Sequence, residues 1–168
     1  MTAGTGNLYQ SLSESATPVT KETPPKLPPS GIYRKGSLSY EGIMSTILKT
    51  TEDSTGAVAT YVGLTKSPGF AGTKVEELQI GTEQEYSTKA FRRICDEVKK
   101  KFSLQLAVIY HYEGKFRPGE ILVIAAVAGK ARPETFSALQ ELVSRFKPEG
   151  HLRKKEFYED GESEWIEK

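Results

Sequence analysis

The residues best suited to chemistry lie between Phe146 and Glu156, in the stretch F-K-P-E-G-H-L-R-K-K-E. It carries Lys147, His151, Arg153, Lys154 and Lys155, opposed only by Glu149 and Glu156. One or two basic groups satisfy the last carbonyls of a helix and the negative end of its dipole. Five exceed that need. Two readings stand side by side: a solvated basic edge, or an anion pocket whose lysines take part in the reaction. Ammonium groups crowded into one crevice disfavour each other's charge. One amine there can therefore stay neutral and serve as a base or nucleophile.

Any such anion site has to be local. The net charge is +1, which gives no global pull toward nucleic acid or a membrane. Cys95 is the single cysteine, so an intrachain disulfide and a cysteine metal cluster are both excluded. Its helical neighbours make it a core thiol. No metal-ligand spacing appears, and the expectation is a site that works without metal or cofactor. No apolar run approaches the ~20 residues of a bilayer span, and none opens the chain as a signal peptide does. The expected location is cytoplasmic.

The elements that must position these residues follow from periodicity. Residues 1–30, rich in Ser, Thr and Pro, read as a disordered tail ahead of one domain over 31–168. Ile32 to Leu38 reads as an edge strand. Ser39 then caps a short helix whose apolar stripe is Ile43, Ile47 and Leu48. Ala57 to Gly63 reads as an inner strand, Leu64 to Lys74 as a binding loop broken by Pro68, Gly69 and Gly72, and Val75 to Ile80 as a strand. A helix over Gln84 to Phe102 turns Phe91, Ile94 and Val98 inward.

Leu104 to Tyr112 and Glu120 to Ala128 pair as a hairpin around a turn at Glu113 to Gly119. His111 reads as a hairpin histidine with a satisfied hydrogen bond. Pro133 opens a third helix, with Phe136, Leu139, Leu142, Val143 and Phe146 as its buried stripe. Pro148 and Gly150 end it just after Lys147. Two short strands, Leu152 to Tyr158 and Glu164 to Ile166, close the chain. The order β-α-β-β-α-β-β-α-β-β argues for an α+β domain.

In that order, five segments resemble the large, catalytic subunit family of molybdopterin synthase. Gly56-Ala57 to Gly63 resembles its G-A-x-x-x-F-x-G strand. His111, Gly114 and Pro118-Gly119-Glu120 resemble its H-R-x-G-x-x-x-P-G-[DE] hairpin, and Arg132 with Phe136 its H-R-x-x-x-F. Lys147, Lys154 and Lys155-Glu156 resemble its K-x-x-x-P-x-W-K-[KR]-E. Gly161, Trp165 and Glu167 resemble its closing segment. The likeness covers residues 56–168. This chain departs from the pattern at Ala131, where the family has histidine, at Lys66, where it has arginine, and at Arg153, where it has tryptophan. Lysine keeps the charge of arginine but lacks its planar fork.

The resemblance implies an α/β-hammerhead-like domain with antiparallel hairpins and about three helices. It implies sulfur transfer from a small ubiquitin-like carrier subunit, through the thiocarboxylate of its Gly-Gly tail. The acceptor is a cyclic pyranopterin monophosphate, and the product is the dithiolene of molybdopterin. The large subunit pairs with itself and binds two carriers, giving a heterotetramer. Carried residue by residue, the likeness assigns the chemistry to Lys147 and Lys154, and substrate binding to Lys66, Arg132 and Lys155. A catalytically weakened paralogue that only binds the carrier is the alternative that Ala131 and Arg153 keep open.

Overall fold

The computed structural model describes residues 26–69 and 72–166. Among them are seven strands and three helices: β1 (Gly31–Arg34), α1 (Tyr40–Thr50), β2 (Ala57–Leu64), β3 (Val75–Thr82), α2 (Gln84–Lys101), β4 (Leu106–Phe116), β5 (Ile121–Gly129), α3 (Arg132–Glu149), β6 (Leu152–Tyr158) and β7 (Ser163–Ile166). The fold is α+β, in the element order expected from periodicity.

The strands run β2-β5-β4-β3-β6-β7, with β1 added in parallel on β4. The other pairings are antiparallel. Strand β5, I-L-V-I-A-A-V-A-G, is buried nearly throughout because both faces of this part of the sheet are covered. On one face, Ala107 and Ile109 of β4 and Val123, Ala125 and Val127 of β5 meet Phe91, Ile94 and Val98 of α2 and Leu142 and Phe146 of α3. On the other, Val108, Tyr110, Ile124 and Ala126 meet Ile43 and Ile47 of α1 with Leu78 and Ile80 of β3. Strict alternation along β4 thus feeds two cores.

Several boundaries differ from the sequence expectation. Strand β4 does not end at Tyr112. It runs on to Phe116, and Gly114, read as part of a turn, lies inside it with φ of 126°. Glycine tolerates that angle where other residues do not, and there β4 exchanges its pairing with β1 for a pairing with β3. Strand β2, expected to be internal, pairs only with β5 among the described residues and is half-buried along most of its length. Strand β1 stops at Arg34, short of Leu38.

Helix α3 continues through Pro148, which sits in the last turn. Its buried row is Thr135, Ala138, Leu142 and Phe146, which leaves Phe136 63% exposed at the outer end. Helix α1 begins as expected, with the Ser39 hydroxyl accepting from the Gly42 N–H at 2.9 Å.

Of the expected tail, residues 1–25 lie outside the described residues. The stretch that follows touches the domain. The Tyr110 hydroxyl donates to the Pro28 carbonyl at 2.9 Å, and the buried Ser30 hydroxyl accepts from the Ile109 N–H at 3.1 Å. Arg145 of α3 bridges Glu97 of α2 and Glu149 of its own helix, with Arg93 also on Glu149, so the two helices are clamped along their exposed edges.

Candidate active site

The reversal from α3 into β6 decides where the basic residues point. The Gly150 N–H donates to the Phe146 carbonyl at 3.0 Å and closes the helix. A Cβ at Gly150 would lie 2.5 Å from that carbonyl and 2.5 Å from Cε1 of Phe91, so the helix end seats on the Phe91 ring only because the residue is glycine. His151 then turns the chain in a left-handed conformation, φ 48°, with its ring edge-on to Tyr86 at 4.5 Å. Strand β6 starts at once beside β3, where Leu152 opposes Thr82 and Lys154 opposes Ile80.

Alternation along β6 sorts the cluster. Leu152, Lys154 and Glu156 line a concave site of about 670 Å³. Lys147 from the last turn of α3 lines the same space, as does Lys66 from the loop after β2. Of the five residues that the likeness assigned to the site, Lys66, Lys147 and Lys154 are therefore brought together. The other two are not. Lys155 faces outward, its Nζ 5.1 Å from the Phe157 ring centroid and 5.8 Å from that of Trp165. Arg132 is the first residue of α3; fifteen residues of helix set it roughly 22 Å from Lys147 along the axis, and it does not line the site. His151 and Arg153, members of the same basic run, also stay outside it.

Beneath the lysines lies His111, only 1% exposed. Its Nδ1 is 2.9 Å from the Tyr112 carbonyl. The Phe91 and Phe146 rings lie 6.3 and 6.1 Å from its own, centroid to centroid. Burial, reinforced by the Lys154 and Lys147 charges and opposed by the Tyr112 hydrogen bond, pushes its pKa down to about 3. The ring is neutral throughout the physiological range. The expected satisfied hydrogen bond is present, and the residue also forms part of the site's wall.

Sequence reasoning did not single out Thr65 or Glu156 for the site. Period-two alternation from Lys154 is a signal that points to Glu156. Thr65 had none. It is 4% exposed, its hydroxyl is buried without a partner among the described residues, and its backbone is held by the β4–β5 turn through the Glu120 carbonyl at 2.9 Å and the Gly119 N–H at 2.8 Å. Among the described residues no group of three or more His, Cys, Asp or Glu is arranged to hold a metal ion. No described helix is long and apolar enough to cross a membrane.

An α+β domain here brings three lysines to one concave site, over a buried neutral histidine, an arrangement whose charge suits anionic ligands. The MoaE protein family matches residues 35–149. The molybdopterin synthase catalytic subunit of Pyrococcus abyssi is 30% identical over 125 residues, which are 74% of this chain and 83% of that one. The crystal structure of molybdopterin synthase from Staphylococcus aureus superposes with a TM-score of 0.75 at 24% identity, over 85% of this chain and all of that one. A complex of subunits 1 and 2 of molybdopterin-converting factor from Helicobacter pylori superposes with a TM-score of 0.67 at 14% identity, over 82% of this chain and 90% of that one. The chain belongs to the MoaE family, that of the molybdopterin synthase catalytic subunits, and its role lies in molybdenum cofactor biosynthesis.

Proposed function

We infer that this chain moves sulfur from the thiocarboxylate of a small ubiquitin-like carrier to a cyclic pyranopterin monophosphate, building the molybdopterin dithiolene. The observation that carries the reading is the meeting of Lys66, Lys147 and Lys154 on one concave wall. Both reactants are anions, and a thiocarboxylate approaches a phosphate ester only where fixed cations offset their repulsion. In this reading Lys147 is the base or nucleophile. Lys154 polarises the thiocarboxylate carbonyl or stabilises the departing phosphate oxygen, and Lys66 holds the phosphate.

The carrier's Gly-Gly tail docks at the loop Leu64 to Lys74 and the segment near Gly150, held chiefly through its main chain. The Helicobacter pylori complex of two subunits supports pairing with a small partner. Arg132 lies too far from Lys147 to serve its own site, so in this reading it serves the site of a second copy of the chain, giving a homodimer and, with two carriers, a heterotetramer. Residues 31–168 form the catalytic domain, with Pro28 and Ser30 of the preceding segment docked on it, and the reaction is cytoplasmic. Lys155, on the outward face, contributes at most a peripheral anion contact.

The test is product formation with thiocarboxylated carrier and precursor. Lys147→Ala and Lys154→Ala should each lower turnover by about 100-fold or more, the range for loss of a positioned catalytic charge. Near wild-type turnover in both variants would refute the assignment.

A further inference from the structure

The buried histidine offers the site something its lysines cannot. A carbonyl oxygen only accepts, so the contact between Nδ1 of His111 and the Tyr112 carbonyl fixes the proton on Nδ1. In a neutral ring with that tautomer, Nε2 carries a bare lone pair. The ring cannot readily turn away from the site, because Phe91 and Phe146 pack around it and the register of β4 against β5 sets His111 opposite Val123. His111 lines the lysine-lined site, and an acceptor on such a wall is generally matched by a donor from water or a ligand.

We propose that Nε2 of His111 is a fixed neutral acceptor for a ligand N–H in the lysine-lined site. The proposal rests on the functional reading above and adds the part of the ligand that this residue recognises. Lysine ammonium groups are donors only, so they bind the phosphate or thiocarboxylate and are blind to the N–H groups beside it. Both reactants carry such groups: the main-chain amides of a Gly-Gly tail and the ring N–H groups of a reduced pterin. A carboxylate in the place of His111 could accept from the same N–H, but would cancel charge that the anions require. A neutral imidazole accepts it and leaves the field of Lys147 and Lys154 intact.

Two substitutions separate this role from support of the hairpin. Asparagine sets its amide near Nδ1 and can keep the bond to the Tyr112 carbonyl, but reaches nothing at Nε2. Glutamine sets its amide near Nε2. If Nε2 reads the ligand, His111→Asn raises KM for one substrate roughly tenfold, with kcat much less affected, and His111→Gln raises it less. A rise for the carrier assigns the tail amide as donor, and a rise for the precursor assigns the pterin ring. The reverse order, with asparagine tolerated and glutamine not, assigns the residue to the fold and overturns the proposal.

A measurement on wild-type protein does not depend on either variant folding. With 15N-labelled histidine, the unprotonated Nε2 resonance of His111 should move toward its hydrogen-bonded range when carrier or precursor saturates the site. Binding measured by calorimetry with that resonance unmoved overturns the proposal while sparing the functional reading. Failure of the wild type to bind either ligand overturns both.

Discussion

Strand β6 has two faces, and neighbouring lysines of like charge meet different surroundings on them. Lys154 points inward and shares a concave wall with Lys66 and Lys147, above His111. Lys155 points outward and lies over the Phe157 and Trp165 rings, with Arg153 5.0 Å from the same Trp165 ring. Outside, water and salt screen each charge, and the aromatic faces hold the side chains flat. Inside, the cations act together on whatever enters. Charge density along a sequence therefore says little until alternation assigns each residue a face.

The sharpest way to break that comparison is to remove each lysine separately. Lys154→Ala should abolish most product formation, by about 100-fold or more, whereas Lys155→Ala should change turnover by less than about threefold. Steady-state assays on the two purified variants decide it. Equal losses would mean that both faces serve the reaction. The Arg132 assignment is tested by mixing chains. Arg132→Ala and Lys147→Ala, each inactive alone, should recover roughly a quarter of wild-type turnover on mixing if one site draws on both copies of a dimer. No recovery would confine the site to one chain or remove Arg132 from it.

The element order and the pairing of the two central strands were legible because periodicity reports burial, and burial dominated in α2, β4 and β5. What escaped was set by neighbours far away in sequence. Gly114 reads as a turn residue, but it bends a strand whose continuation is dictated by β3. Ala57 to Gly63 is apolar enough for an internal strand, yet β2 takes an edge because no further strand pairs beside it among the described residues. Phe136 lies in the wrong row of α3 and past the end of the core, so its apolar ring stays exposed. Of the site, Lys147, Lys154 and Lys66 could be named from the likeness. The wall made by His111 and Thr65 could not, since it depends on where the end of α3 and the β4–β5 turn come to rest.

The inward face should also be tied to acid stability in a way the outward face is not. His111 has its pKa lowered from 6.5 to about 3. As pH falls through that window, the unfolded chain takes up a proton that the native protein refuses. Stability present above about pH 6.5 is therefore lost toward pH 3, with a slope approaching about 1.4 kcal/mol per pH unit at its steepest. His111→Phe should flatten that part of the profile, as measured by urea unfolding at several pH values between 7 and 4. Lys154→Ala should narrow the window slightly, because it removes one of the charges holding the pKa down. Lys155→Ala should leave the window where it is.

The smallest effect belongs to the outward face itself. Trp165 is the chain's single tryptophan and is 48% exposed, so its emission reports on this one surface. Arg153→Ala and Lys155→Ala should each shift that emission and cost about 0.5–1 kcal/mol of stability, the usual worth of an exposed cation over an aromatic ring. Both cations engage one ring, so removing the first changes what the second contributes. The double variant should then depart from the sum of the single ones by a few tenths of a kcal/mol. Turnover should hold in all three variants. If Arg153→Ala instead lowers it as far as Lys154→Ala does, the outer face takes part in the reaction, and alternation along β6 would no longer separate the lysine that acts on the ligand from the one that lies on the surface.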